Sequence, residues 1–153
     1  MALFLVQHGK SLPKDQDPDQ PLTEEGIADV KRIASVAKGY GVKPSRILHS
    51  GKGRAKQTAK LIAEELEPAG GVVPRNGLDP NDDVAAIAGY LDPKEDLMVV
   101  GHLPFLERLT SLLTCGLHDK LVFKFQNGGI VCLDLDRERH AWYIKWTLMP
   151  HIG

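Results

Sequence analysis

Two histidines and an arginine each stand where a short apolar run gives way to a glycine-bearing turn. His8 follows Ala2 to Val6 in Gln7-His8-Gly9, His102 follows Leu97 to Val100 in Gly101-His102, and Arg54 lies just past His49-Ser50-Gly51. A histidine at the end of a strand can attack phosphorus when a hydrogen bond fixes its tautomer and nearby charge neutralises its target. Phosphoryl transfer asks little else of a protein beyond positioning and stabilisation of charge on the oxygens, which suits a forked arginine and a second, protonated histidine. His8 fits the first role, and Arg54 and His102 fit the others. The glycines let backbone approach a ligand, and helices starting at Arg54 and Pro104 would aim their positive ends at the same region. The expected guest is an anion carrying a phosphoryl group.

These residues need a sheet to gather them. Ala2 to Val6 reads as a buried strand, and Lys10 to Pro21, with Pro13, Pro18 and Pro21, as the loop after it. Thr23 caps a helix with Glu24 and Glu25 in its first turn, and Ile27, Val30, Ile33, Ala34 and Ala37 recur at helical spacing up to Gly39 and Gly41. Arg46 to His49 is a second strand, followed by a helix from Arg54 to Leu66. Val72 to Pro74 is a third strand, with a helix capped by Asp82 or Asp83 running through Leu91. Leu97 to Val100 is a further strand, and Pro104 opens the helix carrying Phe105 to Leu113. Lys120 to Phe125, Gly129 to Leu135 and Trp142 to Leu148 read as strands, the last two pairing as a hairpin at a sheet edge. The pattern predicts one α/β domain over 1–153 with a mainly parallel sheet, whose ligands gather at the carboxyl ends of the strands.

With 153 residues, 42% of them hydrophobic and 25% charged, the chain has the balance of a globular domain. A formal net charge of -1 supplies no broad basic field for nucleic acid. No apolar run approaches the roughly 20 residues that span a bilayer, and MALFLVQHGK lacks a basic leader and a cleavage site, so a cytoplasmic monomer is expected. Cys115 and Cys132 have no metal-ligand spacing, and neither His8 nor His102 has local partners for one, so no metal or cofactor is expected. Gly9-Lys10-Ser11 ends like a P-loop, but Phe4 stands in place of its first glycine.

Four segments in order carry a family resemblance: Phe4 to Gly9, Pro21-Leu22-Thr23-Glu24-Glu25-Gly26, Ser50 to Ala59, and Val99 to Pro104. Together they make the chain resemble the histidine phosphatase (phosphoglycerate mutase-like) superfamily, and within it the small SixA-type phosphohistidine phosphatases. The resemblance implies a three-layer α/β/α fold with an antiparallel edge, phosphorylation of His8 during catalysis, Arg54 on the phosphoryl oxygens, and His102 completing a metal-independent pocket. It also implies a phosphohistidine-bearing phosphotransfer protein as substrate.

Two positions depart from the family pattern: Gln7 stands where the family has arginine, and Gln20 where arginine is common. With Gly9 and Ser50 they form the expected substrate-binding set, and Lys10 and Lys52 are candidates to restore charge. The loss of charge leaves two alternatives, a phosphate-binding module without turnover and a small-molecule phosphomonoesterase. The latter needs an acid, and Asp79, Asp82 and Asp83 lie in the relevant segment without a clear motif.

Overall fold

The first apolar run forms β1 (Leu3–Gln7), buried at all five residues. The computed structural model describes residues 2–152; Met1 and Gly153, the ends of the expected domain, lie outside the described residues. The strand begins and ends one residue later than expected, so Gln7 belongs to it. Next come α1 (Glu24–Gly39), β2 (Arg46–His49), α2 (Gly53–Leu66), β3 (Val72–Pro74) and α3 (Val84–Tyr90). The chain continues with β4 (Leu97–Gly101), α4 (Phe105–Cys115), β5 (Ile130–Asp136) and β6 (Ala141–Leu148).

The six strands form one sheet in the order β3-β2-β4-β1-β5-β6. β3, β2, β4 and β1 run parallel, and β5 and β6 add the antiparallel edge. Because strand side chains alternate, the sheet sorts its residues into two cores. Phe4, Val6, Ile47, Met98 and Val100 pack with Val30, Ile33 and Ala34 of α1 and Ala55, Ala59 and Ile62 of α2. Leu3, Leu5, Leu48, Leu97 and Val99 pack with Val84 and Ile87 of α3 and Phe105, Leu106 and Leu109 of α4. The result is the three-layer α/β/α arrangement.

Caps decide where helices begin. Thr23 Oγ1 accepts the Gly26 N–H at 2.9 Å, as its position in the sequence predicts. Gly26 is required there because a Cβ would run into the Lys10 carbonyl, which clamps the loop after β1 onto the start of α1. At α3 the cap is Asp83, which accepts the Ala85 N–H at 2.9 Å, whereas Asp82 accepts the N–H of Asp79 at 2.8 Å.

The expected strand at Lys120 to Phe125 is absent. Residues 121–126 have no regular secondary structure and no ladder partners. Both sides of β5, the next strand in the chain, are already taken by β1 and β6. Its side chains anchor it instead: Phe123 and Phe125 meet edge to face at 5.9 Å and pack on the α4 core, leaving Leu121 and Val122 exposed.

Candidate active site

Register brings the histidines together. Gln7 pairs with Gly101 across the parallel β1–β4 ladder, and the His8 N–H continues it by donating to the Gly101 carbonyl at 3.0 Å. His8 and His102 therefore leave the sheet at one level, each two residues beyond a valine of the α1/α2 face. Their ring centroids lie 5.1 Å apart, tilted by 52°. β2, the other neighbour of β4, ends beside them and delivers Ser50, whose hydroxyl is 2.6 Å from His102 Nε2. Arg54 follows in the first turn of α2, which has no acidic residue there and no side-chain cap. An uncapped helix start of this kind favours an anion.

The His8 backbone is held from several elements. Its N–H is bound by β4, its carbonyl accepts from Asn127 Nδ2 at 3.0 Å, and the next N–H, of Gly9, donates to Thr58 Oγ1 at 2.9 Å. Thr58 in turn donates to the Arg54 carbonyl at 2.8 Å, tying the histidine loop to the arginine turn. His8 Nδ1 lies 2.8 Å from the Gly9 carbonyl. A carbonyl only accepts, so Nδ1 carries the proton and Nε2 keeps its lone pair, the form a nucleophile requires. Burial and, to a lesser degree, the Arg54 charge lower the His8 pKa, partly offset by the bond to Gly9, which keeps the ring neutral at neutral pH.

Neither Asn127 nor Thr58 stood out in sequence, because each acts on backbone across a long chain separation. Asn127→Ala is expected to lower kcat about fivefold while leaving KM and Tm nearly unchanged, since one hydrogen bond of about 1 kcal/mol fixes the nucleophile. Steady-state kinetics beside thermal melting would read this, and an unchanged kcat would remove Asn127 from the positioning set.

His102 departs from expectation. Only 1% exposed, it has its pKa lowered to about 3, chiefly by burial and then by the charges of His8, Arg54 and Lys52. The ring is neutral rather than protonated, and Nδ1 is buried with no hydrogen-bond partner among the described residues. In the unfolded chain a histidine takes up its proton near about pH 6.5. Between there and about pH 3 the unfolded state binds more protons, so stability falls as pH drops, by up to about 1.4 kcal/mol per pH unit from this group. Urea unfolding from pH 7 to 4 should accordingly show a shallower decline for His102→Asn than for the wild type; equal slopes would contradict the assignment.

The other expected site residues divide. The Arg54 guanidinium approaches Gln20 Oε1 at 3.5 Å, which turns the Gln20 carbonyl toward the arginine. Arg54 has its pKa lowered by burial, opposed by the more distant charge of Asp79. Lys52 occupies the position before α2 without a side-chain bond to it, its N–H donates to Ser50 Oγ at 3.3 Å, and its charge reaches His102. Lys10 restores nothing to the pocket: its ammonium is paired with Glu25 at 2.9 Å. Gly9 is needed where it stands, because a Cβ would meet Val30 Cγ2 at 2.9 Å. Gln7 is 9% exposed, and its Oε1 is buried without a partner among the described residues.

Of the remaining histidines, His49 is buried and accepts the Gly51 N–H at 3.0 Å, a structural role in the turn. His151 contacts Asp29 at 2.8 Å. Glu25, Asp29 and His151 bring donor atoms within 4.8 Å, close enough for a cation, but Lys10 and Arg32 already pair with those carboxylates.

This geometry coincides with the comparisons to known proteins. The model of the histidine phosphatase superfamily (branch 1) matches residues 3–79. An uncharacterized protein of Picosynechococcus sp. is 31% identical over 125 residues, 76% of this chain and 74% of that protein. The chain belongs to the histidine phosphatase superfamily. Among solved structures, the protein histidine phosphatase SixA complexed with tungstate aligns over 98% of this chain and 97% of its own, with a TM-score of 0.84 and 27% identity. The α-ribazole phosphatase of Shigella flexneri shares the fold at a TM-score of 0.80 and 16% identity, over 100% of this chain and 98% of its own. Among the described residues no helix is long and apolar enough to cross a membrane.

Proposed function

We propose that the protein is a cytoplasmic phosphohistidine phosphatase acting on phosphotransfer proteins through a covalent phosphohistidine on His8. The carrying observation is the His8 tautomer: the bond from Nδ1 to the Gly9 carbonyl frees Nε2 beside His102 and Arg54. The resemblance to SixA supports the substrate class.

In the first step His8 Nε2 forms a bond to phosphorus as the bond to the substrate imidazole breaks. The departing ring nitrogen keeps the electron pair, and because its other nitrogen already carries a proton, it leaves neutral and needs no strong acid. Water then attacks the phosphohistidine, the bond to Nε2 breaks with its electron pair returning to the neutral His8 ring, and inorganic phosphate leaves with the water oxygen and both water protons, which it shares with solvent according to pH. Arg54, the start of α2 and the amide of Gln20 hold the oxygens throughout, so charge is neutralised without a metal.

Incubation with a phosphorylated histidine phosphotransfer domain tests this reading: loss of its phosphate, with transient phosphate on His8, is the expected result. Binding without turnover or phosphoenzyme would establish the binding-module alternative instead. Asp79, whose charge reaches Arg54, favours one further reading, a phosphomonoesterase with that carboxylate as acid. Rapid hydrolysis of an aryl phosphate that fails in Asp79→Asn would establish it.

A further inference from the structure

Two successive backbone carbonyls at the end of β1 are held by one short turn. The Gly128 N–H donates to the Gln7 carbonyl at 2.8 Å, and Asn127 Nδ2 donates to the His8 carbonyl at 3.0 Å. The His8 carbonyl and the Gly9 N–H belong to one peptide plane, so Asn127 fixes one edge of that plane and Thr58 the other. The turn closes where the Gly129 N–H donates to the Gln126 carbonyl at 3.1 Å. Its outer side is gripped by a distant segment. Gln126 Nε2 donates to the His151 carbonyl at 3.0 Å, and the His151 N–H donates to Gln126 Oε1 at 3.1 Å, so one side chain holds both polar groups of one residue's backbone. That segment is tied in turn to α1: Arg32 donates to the Pro150 carbonyl at 2.6 Å, and His151 Nε2 lies 2.8 Å from Oδ2 of the buried Asp29. Met149 covers Gly129, where a Cβ would meet its sulfur at 2.5 Å. An unbroken series of bonds therefore runs from α1 through His151 and Gln126 to Asn127 and the backbone of His8.

We propose that Gln126 and His151 are positioning residues, which hold Asn127 against the His8 carbonyl and so fix the peptide plane beside which the nucleophilic ring projects. The inference rests on the reading of His8 as the nucleophile and adds the part of the chain that sets its aim. Such positioning acts on the barrier rather than on affinity, because a misaligned nucleophile leaves substrate binding intact and attacks less often. The effect belongs to kcat.

Steady-state kinetics on a phosphorylated histidine phosphotransfer domain, beside amide hydrogen exchange read by NMR without substrate, test it. Gln126→Met, of similar shape but unable to make either bond, is expected to lower kcat about threefold with KM unchanged. His151→Ala keeps both backbone bonds and loses only the contact with Asp29, so its loss should be smaller. In the Asn127→Ala background Gln126→Met should leave kcat near that of Asn127→Ala alone, because its effect runs through Asn127. A merely structural role would instead lower the melting temperature and multiply with Asn127→Ala. Exchange of the Gly128 amide, bonded to the Gln7 carbonyl, should speed about tenfold in Gln126→Met. Unchanged kcat, unchanged exchange, or losses that multiply would each overturn the inference while leaving the phosphatase reading in place. If the wild type shows neither turnover nor phosphoenzyme, the phosphatase reading falls, and the Gly128 exchange alone decides whether Gln126 holds the turn against β1.

Discussion

His8→Ala is expected to reduce turnover of a phosphorylated phosphotransfer domain by about 10⁴-fold or more and to abolish labelling of the protein by substrate phosphate. No neighbouring group can take over. His102 Nε2 is engaged by Ser50 at 2.6 Å and its Nδ1 is buried, so neither nitrogen is placed as His8 Nε2 is. The substitution should spare the fold, because the bonds holding residue 8 run through its backbone to Gly101 and Asn127, and alanine retains them. Single-turnover assays, with mass spectrometry under neutral or alkaline handling, would measure both effects. Wild-type rates in the variant would end the covalent mechanism; unfolding on thermal melting would instead show that the ring is structural.

The second large effect belongs to Arg54. With Gln7 and Gln20 both neutral and Lys10 committed to Glu25, Arg54 supplies the forked, permanently charged donor of the site. Arg54→Ala is expected to lower kcat/KM by about 10² to 10³, the range for loss of one preorganised donor where charge develops. Arg54→Lys should recover only part of this, because a flexible ammonium cannot present two parallel donors to an oxyanion. Gln20 then loses its partner, so Gln20→Ala should add little in the Arg54→Ala background while costing activity on its own. A kcat/KM cycle over the four proteins reads that coupling. Additive losses would mean that Gln20 acts on the substrate independently of the arginine.

Much of this arrangement was legible before any coordinates. The buried strands β1 and β4 announced themselves as apolar runs ending in Gln7-His8 and Gly101-His102, and the helices as amphipathic stretches with Thr23, and Asp82 or Asp83, at their starts, of which the structure selects Asp83. Local pattern failed at Lys120 to Phe125, whose alternation suits a strand, because tertiary packing decides pairing, and Phe123 and Phe125 anchor the segment on the α4 core instead. Asn127 and Thr58 were invisible for a related reason. They act on the backbone of residues 8 and 9 across long stretches of chain, so no motif relates them to His8.

Residue types and their spacing put the chemistry on offer: two strand-end histidines, one arginine at a helix start, and glutamines in place of further positive charge. Their states were set by folding. Protonation and pairing follow from burial and from groups distant in sequence, and these made His102 neutral, set the His8 proton on Nδ1, drew Lys10 to Glu25, and left the Gln7 carbonyl without a donor. Residue types specify which bonds are possible; the dielectric and the neighbours that folding brings together select among them.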